Sequence, residues 1–494
     1  MTARRLLALD LGSSSVRAVV CDERAEPVPG LLARRSVTAR QDEDGRGELD
    51  PDGYLADLVS CLDELQTAGS LDGVELVATS SQWHSVLAVG PDGTPCSAVL
   101  SWLDTRARPR PDRLPADPEA FHARTGAWVH PLYWTTKVPF LREQLHDQLG
   151  GRPLRFLGLP DYLRGVLLGT DATSVSMASG TGLLDVLAMA WDREALALAE
   201  VTPAELPAVD DTPARLAPHW RDRWPALADA LWAPALGDGA ASNLGSGCTD
   251  AGTVGVTVGT SAALRVVHGP DVPPPPATVW RYRVDADRLV SGIAFSGGGV
   301  LRAWVVRLLR LGADAEPTRA PGTSGLVCLP MHAGSRPPGT IPPGSGVVAG
   351  LSLETSPEEL LAGTLEGVAL ESARALDTLE GSFGAELEIV LGGGAVHASP
   401  WWCRAFAGTF DRSLRLAEDP EVGARGAAAL ALGIDLAPPK EQIVPDPDDV
   451  VRMAAARVRY DRLRNALADE LIRHRDGSPP AFDPDVNRPT SPTA

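Results

Sequence analysis

The chain has 494 residues, with 64 acidic against 45 basic side chains and a net charge of −19. That balance excludes a general nucleic-acid binder, since no basic stripe offsets it, and the length suits two domains that each bury a core. Lysine occurs only at Lys137 and Lys440, which rules out a Gly-x-x-x-x-Gly-Lys-Ser/Thr phosphate loop; the six cysteines are scattered without a Cys-x-x-Cys, so neither a zinc site nor a disulfide framework is indicated and a reducing cytoplasm fits.

The start runs directly into a strand and lacks the apolar core and cleavage site of a signal peptide. No apolar run reaches membrane-spanning length. Residues 6–22 read as strand, tight turn, strand. Leu6 to Leu9 and Ala18 to Cys21 are apolar, Gly12 with Ser13, Ser14 and Ser15 makes the turn, and Asp10 ends the first strand. Residues 34–46 are polar, a strand and loop. Asp50-Pro51 opens a helix, with Asp as N-cap and Pro in the first turn, and Leu55, Leu58, Leu62 and Leu65 share its apolar face. Residues 74–79 form a buried strand that delivers Ser80-Ser-Gln-Trp-His-Ser85 to its C-terminal end, where open α/β sheets place ligands. A second strand over 86–89 and the turn Pro91-Asp-Gly-Thr94 follow. Trp102, Asp104 and Arg106 alternate, so they share one face if the segment is extended. An indole, a carboxylate and a guanidinium on one side form a polyol clamp, or else a core Trp with an Asp–Arg pair at the rim. His130 is a donor to a hydroxyl or carboxylate, or a structural histidine. Residues 161–169 are expected to be helical.

Residues 236–265 carry the second feature. Asp238 sits between two glycines, and an alternating strand over 254–258 ends in the turn Gly259-Thr-Ser261. A carboxylate flanked by glycines approaches a ligand at little steric cost. A Gly-Thr-Ser turn offers backbone N–H groups and two hydroxyls to a phosphate. A base beside a phosphate cradle is what phosphoryl transfer to an alcohol requires. Either piece alone reads equally as an ordinary turn. Residues 269–276 are a stiff proline-rich loop. Gly297-Gly-Gly299 leads into a helix over 300–311, where glycine lets a nucleotide phosphate approach and the helix N-terminus adds its dipole. A helix over 360–379 carries Leu361, Leu365, Val368 and Ala369 at helical spacing. A strand over 387–391 runs into Gly392-Gly-Gly-Ala395, and Ser399-Pro-Trp-Trp402 starts the next helix. Residues 477–494, rich in Pro, Ser and Asp, are expected to be a disordered tail.

Paired phosphate-type turns, each with an acid in reach, resemble the ATPase fold shared by actin, sugar kinases and the Hsp70 chaperones. Within it the motifs resemble the FGGY family of carbohydrate kinases, to about Asp435. The resemblance implies an α/β fold of two actin-like ATPase (ribonuclease H-like) domains with an ATP cleft between them. Residues 1–245 would carry the sugar site and the first phosphate loop, and residues 246–476 the nucleotide site. Gln82-Trp83-His84 followed by Trp102, Asp104 and Arg106 resembles the family's sugar-binding wall, with Trp83 in place of the usual methionine. Residues 126–137 resemble the segment of gluconate kinases that precedes a helix lining the sugar pocket, which adds His130 and Lys137. The resemblance makes Asp238 the catalytic base, in contact with substrate. It implies ATP contacts from Asp10, Gly12, Ser13, Ser14, Ser15, Arg17, Gly259, Thr260, Ser261, Gly298, Gly299, Gly393, Gly394 and Ala395, and Mg²⁺ held near Asp10 and Asp238. The family's Gly-Glu-Arg-x-Pro appears only as Gly334, Arg336 and Pro338, without its Glu. The expected reaction is ATP-dependent phosphorylation of a small sugar or sugar acid, with gluconate first because His130-Pro-x-Tyr133 and Gly259-Thr-Ser-Ala-Ala-Leu-Arg265 look more like gluconate kinases than glycerol or xylulose kinases. Xylulose or another ketopentose or polyol is the alternative acceptor. A non-catalytic ATP-binding actin/Hsp70-like protein is the alternative of another class. No nucleic-acid or membrane partner is expected, and the protein is expected to be a cytoplasmic monomer or homodimer.

Overall fold

The computed structural model describes residues 5–42, 44–332, 344–417 and 421–467. The Gly334, Arg336 and Pro338 match and the tail at 477–494 lie outside the described residues.

Two mixed sheets repeat one plan. In the first, strand Arg5–Leu11 pairs antiparallel with Ser15–Cys21, which pairs antiparallel with Pro27–Ser36; on its other side Arg5–Leu11 runs parallel to Val74–Ser81, and that strand parallel to Leu231–Gly237. In the second, Thr253–Val258 pairs antiparallel with Ala262–His268, which pairs antiparallel with Leu289–Phe295, while Thr253–Val258 runs parallel to Glu388–Gly392. The second sheet extends further, to Trp280–Arg283 at one edge and to Leu414–Leu416 and Gln442–Ile443 at the other. Strand Pro27–Ser36 begins earlier than the polar 34–46 segment suggested, because its residues pair with Ser15–Cys21 although most stand at the surface.

The apolar runs are strands covered on both faces. Successive side chains point to opposite sides. Leu7, Leu9 and Leu11 join the core with Leu58, Leu62 and Leu65 of helix Pro51–Thr67. Leu6 and Ala8 face Ala424, Ala427 and Ala428 of helix Val422–Leu432. A helix from the second half therefore covers the back of the first sheet. Helix Pro51–Thr67 begins where expected, with the Asp50 side chain accepting from Asp52 N at 3.2 Å. Helices Leu159–Leu168, Gly299–Leu308, Pro357–Phe383 and Pro400–Phe410 match the expected segments to within a few residues.

The run of small residues around Asp238 is itself a helix, Asp238–Gly245, which the residue pattern did not announce. Its composition follows from where it lies. It crosses helix Val422–Leu432 so closely that a Cβ on Gly245 would fall 1.8 Å from Val422 O, and one on Gly426 1.8 Å from Ala241 O. Only glycine permits that approach.

The halves also meet through the segment 118–126. Arg281 N donates to Gly126 O at 3.1 Å, and a His122 ring nitrogen, Nε2, donates to Val279 O at 2.9 Å. Burial drives the His122 imidazole down to about 4. The folded protein thus disfavours the proton that the unfolded chain takes up near pH 6.5. His122 costs no stability above pH 6.5. As pH falls from 6.5 towards 4 the unfolded state alone binds the proton, so stability is lost. Relative to His122→Gln, wild type should lose about 3 kcal/mol over that window. Urea unfolding of both proteins at pH 7 and pH 4.5 checks this; parallel pH profiles would mean that His122 is protonated in the fold.

Candidate active site

The parallel strands of the first sheet end together. Asp10, Ser80 and Leu236 lie in one row across the three strands, and Asp238 follows directly beyond Gly237. Asp238 is the first residue of its helix, and one carboxylate oxygen, Oδ1, accepts from Gly239 N at 2.8 Å. Burial, and the Asp238 charge behind it, raise the Asp10 carboxyl above its ordinary value, against the pull of Arg17. Arg17 Nη1 lies 3.9 Å from Asp10 Oδ2 and donates to Glu421 at 3.0 Å, tying the first turn to the second half.

A cavity of about 190 Å³ opens beside Asp238. Ser13 and Ser261, one from each glycine turn, line it together with Asp238. Its walls are aromatic. Trp83, His84 and Trp102 come from the first sheet's side, Trp128 and Tyr133 from the next segment, and Trp280 and Tyr282 from the edge strand of the second sheet. Trp280 stacks on Tyr282 at 4.7 Å, and the hydroxyls of Tyr133 and Tyr282 lie 2.6 Å apart across the two halves.

Trp83 forms the floor. Its indole is 4% exposed, donates from Nε1 to Ser176 O at 3.0 Å, and lies against three glycines. A Cβ on Gly237 would stand 1.8 Å from its ring, one on Gly180 2.3 Å and one on Gly239 2.7 Å. His84 follows with a positive φ of 68°, a conformation costly for a residue with a Cβ. Its Nδ1 lies 2.6 Å from Gly180 O, which fixes that nitrogen as the protonated one, since a carbonyl only accepts.

Several expected wall residues stand elsewhere. Segment 101–106 is not extended: Asp104 N donates back to Ser101 O at 3.1 Å, and this turn sends Trp102 to the pocket and Asp104 and Arg106 away from it. Arg106 pairs with the fully buried Asp104 and with Glu48, both at 2.6 Å, and lies over the Phe140 ring. Lys137 is fully buried behind the wall. Its ammonium donates to His84 O at 2.9 Å and Ser101 O at 2.7 Å, and burial pulls it down to about 7. It braces the backbone of His84 instead of lining the pocket. His130 Nδ1 accepts from Leu132 N at 3.1 Å, and Tyr133, three residues on, is the lining residue. Gln82 is also outside the lining, buried, with neither amide atom hydrogen-bonded among the described residues. Trp128, Tyr133, Arg265, Trp280 and Tyr282 were not singled out as pocket residues. Alternation along Ala262–His268 from Ser261 was the one signal that could have found Arg265.

The phosphate turns fit together closely. Gly12 N donates to Ser15 O at 3.0 Å, leaving Ser13 at the cavity and Ser14 exposed at the tip. Ser15 is buried and accepts from Arg17 Nε. In the second half Gly299 N and Val300 N donate to Gly259 O and Thr260 O, so those helix N–H groups are spent within the protein. A Cβ on Gly298 would meet Ser261 C at 2.6 Å, and one on Gly299 would meet Gly259 O at 2.7 Å and Ala395 Cβ at 2.9 Å. Gly393, at φ 104°, packs against Val258, while Gly394 faces open space.

A Cβ on Gly259 would also meet nothing within 4 Å, so the fold does not require glycine there. A phosphate bound at this turn would, because a side chain would occupy its place. Gly259→Val should therefore raise the KM for ATP about 30-fold or more and that for the acceptor far less. Steady-state kinetics on the folded variant checks this; equal changes in both constants would make the glycine structural.

Asp10 and Asp238 are near enough for the charge of one to act on the other, which makes them a candidate set of two carboxylates; among the described residues no group of three or more His, Cys, Asp or Glu is placed to hold a metal ion. Such a set suits Mg²⁺, which keeps waters and substrate phosphates as its other ligands, and a cation would relieve the crowding of negative charge that raises Asp10.

One sheet plan built twice is the fold of the actin-like ATPases, and a small-molecule pocket opens beside Asp238. Models of the "FGGY family of carbohydrate kinases" match both halves, the N-terminal domain at residues 5–224 and the C-terminal domain at 254–433. This chain belongs to the FGGY family of carbohydrate kinases and is an ATP-dependent phosphotransferase with an alcohol group as acceptor. It is 24% identical over 452 residues to a gluconokinase of Bacillus licheniformis, covering 86% of this chain and 87% of that one. It is 30% identical over 440 residues to a xylulose kinase of Streptomyces rubiginosus, covering 87% and 88%. A solved structure titled a xyloylose kinase, from Brucella ovis, superposes with a TM-score of 0.84 at 26% identity, over 94% of this chain and all of that one. No helix among the described residues is long and apolar enough to cross a membrane.

Proposed function

We propose that this kinase transfers the γ-phosphoryl group of ATP to a hydroxyl of gluconate. The observation that carries the reading is the position of Asp238: one carboxylate opens both onto the aromatic pocket and onto Ser13 and Ser261 of the two glycine turns. Asp238 takes the proton of the acceptor hydroxyl as the oxygen attacks. The first turn, Gly12 to Ser15, and the second, Gly259 to Ser261, grip the phosphates from opposite sides, with Gly393 to Ala395 beside the nucleoside. Asp10, with Asp238 nearby, would hold Mg²⁺, and the ion when bound would neutralise phosphate oxygens. The chain divides near Gly245, and closure of the two units keeps water from the phosphoryl group. The gluconokinase relative and the His130-Pro-x-Tyr133 segment support the sugar acid, and the xylulose kinase relatives support the runner-up. ADP production across a panel of sugars, polyols and aldonates is the test. Gluconate should give a kcat/KM at least about tenfold above xylulose or glycerol, about 1.4 kcal/mol in transition-state binding. Turnover of a ketopentose with none of gluconate would replace the substrate and leave the kinase in place.

A further inference from the structure

One guanidinium lines the acceptor pocket. Ser261, Ala263 and Arg265 all reach the cavity, as alternate residues of one strand face must. At the rise of a β-strand, Arg265 lies about 13 Å along the chain from the Ser261 turn. Between them Ala263 and its register partner Ala294 keep the wall low. Its side chain turns toward the first half: a Cβ on Gly239 would stand 2.8 Å from Arg265 Nε, so the guanidinium lies in the pocket beside Asp238.

Arg265 is poorly satisfied by the protein. Its Nη1 makes a long 3.4 Å contact with Thr257 Oγ1, and its Nε is buried with no hydrogen-bond partner among the described residues. Trp128 Nε1, in the same lining, is also buried without a hydrogen-bond partner among the described residues. A guanidinium N–H and an indole N–H without acceptors among the described residues thus belong to two side chains that line one cavity. The walls around them are aromatic, so an anion entering the pocket is stable only if these donors take it.

We propose that Arg265 binds the carboxylate of the acceptor, with Trp128 Nε1 as the second donor, and that this pairing makes the pocket select sugar acids over neutral polyols; the proposal rests on the phosphoryl-transfer reading above. A neutral polyol leaves these two N–H donors without an anion, and the rejection follows from them.

Gluconate and gluconamide, alike in size and differing in charge, separate the possibilities. Wild type should use gluconate with a kcat/KM about 50-fold above gluconamide. In Arg265→Gln that ratio should collapse to within about threefold of unity, with the loss falling on the KM for gluconate, and Arg265→Lys should restore part of it. Trp128→Phe should raise the gluconate KM about fivefold. Equal use of the two ligands by wild type overturns the proposal without any variant, so a misfolded Arg265→Gln does not shield it. An equal fall in kcat for both ligands in Arg265→Gln also overturns it, since Arg265 would then act on the neighbouring Asp238. Wild-type turnover of ketoses or polyols with no aldonate used would instead overturn the gluconate reading itself.

Discussion

Asp238→Asn should lower kcat about 1,000-fold or more while the protein stays folded and keeps its affinity for ATP within about threefold. The substitution preserves shape. Asparagine fits the first position of helix Asp238–Gly245, and its side-chain oxygen still accepts from Gly239 N, the bond that orients the carboxylate. What is lost is the capacity to take a proton from the acceptor. Positioning, phosphate contacts and exclusion of water remain, so a residual rate above the uncatalysed one persists. Single-turnover kinetics with ATP and gluconate, beside calorimetric ATP binding, separates the two effects. Turnover close to wild type would remove Asp238 from the chemistry. The variant should also bring Asp10 nearer its ordinary value, because one of the charges raising it is gone.

The second large effect comes from one methyl group. Gly237→Ala places a Cβ 1.8 Å from the indole of Trp83, nearer than any nonbonded contact allows. Trp83 has little room to yield, for its other side lies against Gly180 and its ring packs on Tyr282 at 5.0 Å and Trp280 at 6.1 Å. The strain is relieved only by moving the pocket floor or strand Leu231–Gly237, and Asp238 is the next residue. We expect kcat/KM to fall at least about 100-fold, with a loss of roughly 3 kcal/mol in stability from overpacking. The double variant Gly237→Ala with Trp83→Met should recover much of both, because a flexible thioether vacates the ring's place. Thermal unfolding and kinetics of the two single variants and the double measure the coupling. Losses that simply add would mean that the glycine serves the strand and not the indole.

The residues that reached the sequence reading and those that escaped it differ in kind. Leu6 to Leu11 alternate between two covered faces, Asp50 caps a helix, and Gly12 and Gly259 interrupt apolar strands. Each of these is a local constraint of backbone and side chain, and together they carried the two-sheet plan, the turns and Asp238. Periodicity says which face a side chain occupies; it does not say which face borders a cavity. Trp102, Asp104 and Arg106 would share a face in a strand, but the turn closed by Asp104 N on Ser101 O separates them, and Glu48 draws Arg106 outward. Lys137, conspicuous in a chain of arginines, is turned inward because two strand-end carbonyls need a donor. Trp280 and Tyr282 lie on an edge strand of the other half, and they join Trp83 and Tyr133 only when the halves meet. The strands, the turns and the glycine-flanked Asp238 are legible in the chain itself, because they depend on neighbours along it. Only the tertiary structure decided the acceptor pocket, because its walls come from segments more than a hundred residues apart whose contact depends on how two sheets and two glycine-crossed helices pack.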